Sequence, residues 1–171
     1  MIDQILKASI HDVAELNVLV NAAYRGETAK GGWTHESDLI DGSRIDENEL
    51  KRLIRAENNV VLKYVRKGKI IGCVLLERNT DSIYLGMLTV KPLLQSTGIG
   101  KKLLAASEEY SRSKGCGNIK MTVISIRKEL IEFYKRFGYE DTGIKKAFDK
   151  DSGKFGVPKI ELEFMELSKV I

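Results

Sequence analysis

Residues 83–104 constrain this chain more than any other stretch. A β-prone run, Ile83 to Val90, is closed by Pro92; Gln95-Ser96-Thr97-Gly98-Ile99-Gly100 follows, and then Leu103, Leu104, Ser107 and Tyr110 recur at helical spacing. A strand that turns through glycines into a helix exposes backbone N–H groups at the turn. Glycine places no Cβ in their way, and the helix N-terminus adds unpaired donors and a partial positive charge. The product is an anion seat suited to a phosphate or pyrophosphate. Two familiar phosphate loops are excluded by count. Five residues before Gly100 stands Gln95 rather than glycine, and Lys101 is followed by Lys102, so G-x-x-x-x-G-K-[ST] is absent. Gly98 and Gly100 fit the first two places of G-x-G-x-x-G, but Leu103 occupies the third. What remains is Q-x-x-G-x-G between a strand and a helix.

The 171 residues are 43% hydrophobic and 30% charged with 2 prolines, which predicts one folded domain over residues 1–171. The net charge of +4 is spread among interleaved acids and bases. A nucleic-acid module would gather its bases on an aromatic-bearing face, so no nucleic-acid partner is expected. A mild positive balance still favours a polyanionic cofactor. No apolar run is long enough to span a bilayer, and Met1-Ile2-Asp3-Gln4 does not begin a signal peptide. Cys73 and Cys116 form no C-x-x-C, and with two histidines they are too few for a metal site. The expectation is a cytoplasmic protein with no membrane partner and no metal.

Around the central stretch the chain reads in order. Gln4 to Ala8 is a short strand. Ser9 to Asp12 caps a helix whose apolar side is Val13, Leu16, Val20 and Tyr24, ending near Arg25-Gly26. Residues 26–45 lack periodicity and read as a long loop carrying Trp33, the only tryptophan. That tryptophan either pins the loop to the core or lines a pocket. Asp46 caps a second helix. Val60 to Val65 and Ile70 to Glu77 form a hairpin, and Gly86 in the next strand marks a bulge or close backbone approach. The third helix stops at Gly115; Asn118 to Ile124 is a strand; Lys128 to Phe137 is a short helix with Leu130, Phe133, Tyr134 and Phe137 on one side. Tyr139 to Phe148, a turn at 149–154, and a last strand alternating Ile160, Leu162 and Phe164 complete the chain.

The Q-x-x-G-x-G loop resembles motif A of the GCN5-related N-acetyltransferases (GNAT), and Phe133-Tyr134-Lys135-Arg136-Phe137-Gly138-Tyr139 is similar to their motif B, F/L-Y-x-x-x-G-F/Y. The element order β-α-α-β-β-β-α-β-α-β-β also matches that family over nearly the whole chain. The resemblance implies an α/β (α+β) class and the GNAT acyl-CoA N-acyltransferase fold, a mixed, curved and splayed central sheet flanked by helices. It implies direct acetyl transfer from acetyl-CoA, as co-substrate, to an amine of a small molecule or peptide. By the same resemblance, a bulge near Gly86-Met87 splays two strands. The backbone of Leu88, Thr89 and Val90 then meets the pantetheine arm like a neighbouring strand, and the Leu88 N–H polarises the thioester carbonyl. The N–H groups of Ser96, Thr97, Gly98, Ile99, Gly100 and Lys101 take the pyrophosphate, and Gln95 braces the loop.

Tyr134 is the expected general acid for the leaving thiolate, since a phenol of pKa about 10 is protonated at neutral pH. Two positions depart from the family pattern. Arg127 stands where many members carry Asn, and is a candidate cofactor contact. Tyr84 stands where some members carry a glutamate base. Deprotonating a lysine-like amine at pH 7 costs roughly 4–5 kcal/mol, and Tyr84 with a water, Glu77 or Glu36 are open alternatives for the base. Trp33, Glu36 and Tyr84 are the expected acceptor-binding residues, with Glu36 positioning a cationic amine. A non-catalytic acyl-CoA-binding or sensor module of the same fold is the competing reading. Monomer and homodimer are both compatible with the sequence.

Overall fold

The computed structural model describes residues 2–149 and 156–171. Its strands are β1 (Gln4–Lys7), β2 (Ile40–Asp41), β3 (Asn59–Arg66), β4 (Lys69–Arg78), β5 (Ser82–Val90), β6 (Asn118–Ile124), β7 (Glu140–Ala147), β8 (Val157–Pro158) and β9 (Glu163–Val170). Its α-helices are α1 (Val13–Tyr24), α2 (Gly26–Ala29), α3 (Glu47–Arg55), α4 (Ile99–Ser113) and α5 (Lys128–Arg136). Short 3-10 turns at Ile10–Asp12 and Pro92–Leu94 lead into α1 and toward α4. None of these helices is long and apolar enough to cross a membrane.

Seven strands form one sheet in the order β1-β3-β4-β5-β6-β9-β7, and β2 pairs with β8 apart from it. Alternation along the strands divides the apolar residues between two faces. Ile83 and Leu85 of β5 join Leu103 and Leu104 of α4 and Ile131 of α5 on one face. Met87, Cys73 and Leu75 join Leu16 and Val20 of α1 and Leu50 of α3 on the other. The helices begin where the sequence places caps: Ser9 and Asp12 bond reciprocally ahead of α1, and Asp46 accepts from the Glu49 N–H at the start of α3.

One seam of the sheet stays open. β5 and β6 are parallel, and their register covers only Ser82–Tyr84 against Asn118–Lys120. Beyond Tyr84, β5 continues beside β4 while β6 continues beside β9. The two strands diverge and leave a cleft between them.

The element order agrees with expectation, with three additions and one shift. Within 26–45 the chain forms α2 and then β2, so this segment is not a bare loop. The last strand starts at Glu163, and Ile160 is 50% exposed. The reason lies upstream: β8 is drawn across to pair with β2, Ile40 with Pro158 and Asp41 with Val157. Leu162 and Phe148 then bury against Ile40 and Ile124. A two-residue ladder containing proline carries no periodic signal for a sequence reading to find. The expected turn at 149–154 falls, except for Asp149, outside the described residues.

Candidate active site

The cleft begins at a bulge. Opposite β5, Cys73 pairs with Thr89 and Leu75 with Gly86, so Met87 and Leu88 together face Val74. Met87 takes the left-handed conformation, φ 53°, that a bulge of this kind usually gives to glycine. Gly86 sits one residue early: a Cβ there would press on the Tyr84 ring at 3.3 Å. The sequence expectation of a bulge is correct, and its strained residue is Met87. Two hydroxyls stabilise the distortion. Thr89 Oγ1 donates to the Met87 carbonyl at 2.9 Å, and Tyr24 Oη donates to the Leu88 carbonyl at 2.7 Å. The Thr89 bond holds the peptide that carries the Leu88 N–H, and the Tyr24 bond holds the next one, so both peptides at the cleft are oriented. Thr89 itself is 1% exposed. Its side chain braces the bulge from within the protein and offers no surface to a ligand, which narrows its expected role to backbone geometry.

From β5 the chain passes through the Pro92–Leu94 turn into the glycine loop. Ser96 (φ 64°) and Gly98 (φ 90°) are both left-handed, with Gly98 as the N-cap of α4. Alternating left-handed residues ahead of a helix turn successive N–H groups toward one concavity. No side chain caps α4, and a Cβ on Gly98 would meet nothing within 4 Å. Open donors above an unobstructed loop fit a diphosphate. Lys101 in the first turn adds positive charge to the same end, whereas Lys102 turns to Tyr64 and donates to its hydroxyl at 3.2 Å. Ile99 is buried at 2% exposure, so only its backbone can face a ligand. Gly72 brings α4 onto the sheet: a Cβ there would lie 3.0 to 3.2 Å from Thr89, Leu103 and Ile99.

A cavity of about 370 Å³ occupies the gap between the diverging strands. It is bounded by Tyr84, Gly86 and Leu88 of β5, Thr122 and Ile124 of β6, Tyr134 of α5, Tyr24 and Arg25 at the end of α1, and Lys146 and Phe148 near the end of β7. Tyr134 is 6% exposed, and burial holds its phenol well above the usual tyrosine range. No described residue hydrogen-bonds to its hydroxyl, which makes it a proton donor available to a ligand. Tyr24 is likewise pushed up, to about 12, by burial. Tyr84 Oη and Thr122 Oγ1 are 2.7 Å apart and close the narrow end where the strands part.

Charge in the cavity is organised around Glu36. Arg25 approaches it at 3.0 Å and Arg127 at 3.7 Å, and the side chains of Arg25, Glu36 and Arg127 are 6%, 12% and 9% exposed. Arg25 also donates to the Gly42 carbonyl at 3.1 Å, and Arg127 to Thr34 Oγ1 at 3.1 Å. Burial lowers the pKa of Arg25 from its ordinary value, although the Glu36 carboxylate opposes this. Glu36 therefore lines the cavity as expected, but its carboxylate is shared by two guanidinium groups. It is not free to receive a cationic amine or to act as a base. Arg127 serves as a clamp on the 26–45 segment. Arg44 stacks over the Tyr24 ring at 5.5 Å.

Trp33 is placed differently from expectation. Its ring lies 5.5 Å from Phe133, and it borders a second, smaller hollow with His35, Ile126 and Arg127. Gln95 reaches across to this segment: the N–H groups of Trp33 and Thr34 donate to Oε1 at 2.8 and 3.3 Å, and Nε2 donates to the Val90 carbonyl at 3.2 Å. A Cβ on Gly32 would collide with the Gln95 amide. Gln95 thus braces the 26–45 segment as well as its own loop. Of the residues expected at the acceptor side, Tyr84 and Glu36 come together in the cleft cavity and Trp33 does not. Glu77, an alternative base, lies opposite Tyr84 in register but borders a separate hollow with Arg52 and Leu53. The sequence reading missed Tyr24, Arg25, Thr122 and Lys146. Tyr24 alone carried a signal, as the polar-tipped last member of the α1 apolar stripe.

Comparison with known proteins agrees with this geometry. The acetyltransferase (GNAT) domain matches residues 34–151, more than half of the chain. Bovine (Bos taurus) thialysine N-ε-acetyltransferase is 33% identical over 60 residues, 35% of each chain; the pig (Sus scrofa) protein of that name matches to the same extent. The match spans about a third of the length of these relatives. Among solved structures, the ribosomal-protein-S18-alanine N-acetyltransferase of Escherichia coli superposes with a TM-score of 0.75 at 13% identity, over 99% of this chain and 94% of that one. The PaiA N-acetyltransferase of Thermoplasma acidophilum, solved in complex with coenzyme A, gives 0.70 at 19% identity over 100% of both. Strand splay, bulge, glycine loop and family match converge on one statement: the chain belongs to the GNAT acetyltransferase family.

Proposed function

We propose that the protein transfers the acetyl group of acetyl-CoA to a primary amine, with the glycine loop holding the diphosphate and the cleft holding the thioester. The observation that carries this reading is the placement of the Tyr134 hydroxyl, unpartnered and in the cavity that the Met87–Leu88 bulge opens. The names of the relatives, for thialysine and for a ribosomal-protein alanine, support nitrogen as the accepting atom. The thioester supplies an activated acyl carbon. The Leu88 N–H, in the peptide whose Met87 carbonyl accepts from Thr89 Oγ1, donates to the acyl oxygen as negative charge develops there. The amine nitrogen forms the new C–N bond, the C–S bond breaks, and Tyr134 gives its proton to the departing sulfur. The proton lost by the amine passes to solvent and Tyr134 is reprotonated, so the balance is amide plus free thiol.

The Glu36 carboxylate is shared by two guanidinium groups, and we assign it no role as base. The reactive species is then the neutral fraction of the amine, and nucleophilicity rises with pH. The deciding experiment is thiol release from acetyl-CoA over an amine panel, with coenzyme A binding followed by calorimetry. Tyr134→Phe is expected to lower kcat about 10²- to 10⁴-fold with coenzyme A affinity within about twofold, since it leaves the backbone seat intact. Coenzyme A binding without thiol release for any amine would select the sensor reading instead. No binding at all would remove both.

A further inference from the structure

The lining of the cleft cavity sorts by face of the sheet. Ile83 and Leu85 of β5 and Met121 and Val123 of β6 pack with α4, and Tyr134 of α5 belongs to that side. Alternation turns Tyr84, Thr122 and Ile124 to the opposite side, where Tyr24 and Arg25 at the end of α1 border the cavity. Register carries this second side outward to β7. Phe164 of β9 lies opposite Ile124 on one flank and opposite Lys146 on the other. Directly opposed residues share a face, and all three line the cavity. Lys146 therefore brings a primary amine to the cavity from the side away from Tyr134. It is exposed, and its side chain forms no ion pair or hydrogen bond among the described residues. Its neighbour Lys145 lies opposite Met165 on the α4 side and pairs with Glu163 at 3.4 Å. In the acetyl-transfer reading Tyr134 stands at the departing sulfur, which leaves the α1 side for the incoming nitrogen. A lysine on a flexible four-carbon stem at that side competes with free amines at the effective concentration of a tethered group.

We propose that Lys146 is acetylated by the acetyl-CoA bound to its own chain when no other amine occupies the cavity. This rests on the acetyl-transfer reading and adds a second product to it. The neutral Nζ of Lys146 adds to the acyl carbon and forms the C–N bond. The C–S bond breaks, Tyr134 gives its proton to the sulfur, and the proton lost by the nitrogen passes to solvent. The products are Nε-acetylated Lys146 and free coenzyme A thiol, with no other reactant. The chain is then a single-turnover substrate of its own cleft, and the modification removes a positive charge from the acceptor side.

The test incubates the purified protein with acetyl-CoA alone and reads acetylation site by site by mass spectrometry. Lys146 should be acetylated about 10²-fold faster than Lys145, which lies beside it on the other face and measures uncatalysed acetylation. Its first-order rate constant should not change when the protein is diluted about tenfold, as for reaction within one chain. Tyr134→Phe should slow acetylation of Lys146 about 10²-fold and leave that of Lys145 unchanged. In Lys146→Arg no other lysine should take over the fast phase. Equal rates at Lys145 and Lys146, in a protein that releases thiol with an added amine, would overturn the inference and leave the acetyl-transfer reading standing. A rate constant that rises with protein concentration would overturn transfer within the chain. Absent coenzyme A binding, or absent thiol release with every amine, would overturn the acetyl-transfer reading and this inference with it.

Discussion

The two sides of the cleft are built by different means. On the glycine-loop side the exposed groups are backbone: the Leu88 peptide, left-handed Ser96 and Gly98, and an uncapped α4 N-terminus. On the opposite side the groups are side chains, Arg25, Glu36, Arg127 and Lys146, brought together from four separate stretches of the chain. On the proposed reading, the backbone seat recognises what is common to every turnover, the diphosphate and the thioester. A side-chain wall can change residue by residue without disturbing that seat. The difference teaches where specificity can vary in this fold and where it cannot.

Four changes test that division. The largest effect is expected on the side-chain wall. Glu36→Ala leaves Arg25 and Arg127 facing each other with no carboxylate between them, and should cost about 3–5 kcal/mol of stability, read as a lowered urea midpoint. A midpoint unchanged from the parent protein would mean the charged cluster is not a structural unit. Next comes the backbone wall. Gly98→Ala forces a Cβ into φ 90°, which should cost roughly 1–2 kcal/mol. If that loop is the diphosphate seat, as proposed, coenzyme A affinity should fall together with stability; calorimetry on the variant checks both. Smaller still is the link between the walls. Gln95→Ala removes the acceptor of the Trp33 and Thr34 N–H groups and should raise the acceptor KM about five- to tenfold, the worth of roughly 1 kcal/mol. Gly32→Ala, which displaces the same amide, should reproduce it. The smallest effect concerns pH. Burial raises the folded-state pKa of Tyr134, so the phenol stays protonated to higher pH than an ordinary tyrosine. The rate should therefore climb with amine deprotonation and show no falling limb from Tyr134 up to about pH 10; a bell with a descending arm near pH 8 would contradict this.

The division also explains what was legible in the sequence. The β5–loop–α4 passage announces itself because glycines at 98 and 100, a proline at 92 and a helical stripe behind them are local signals. Gly86 gave the bulge away to within one residue, since strain at Met87 is stored by tertiary contacts rather than by its own preference. Tyr134 was legible because motif and helix periodicity coincide. The charged wall was not. Arg127 reaches Thr34 across 93 residues of chain, and Gln95 reaches Trp33 across 62. Nothing in a local window says that Glu36 is already spoken for by two arginines, nor that β8 will draw residues 157–158 to Ile40 and delay the last strand. Trp33 was singled out for its rarity, and its ring is instead part of an aromatic contact with Phe133.

The Gln95 carboxamide joins two distant segments, with one end on the strand that precedes the glycine loop and the other on residues 33 and 34. Occupancy of the seat that shifts this amide changes the free energy of the far segment by the same amount that occupancy of the far segment returns to the seat. The two substrates would then be expected to sense each other's arrival, and double-reciprocal lines that cross off the abscissa rather than on it would carry that signature.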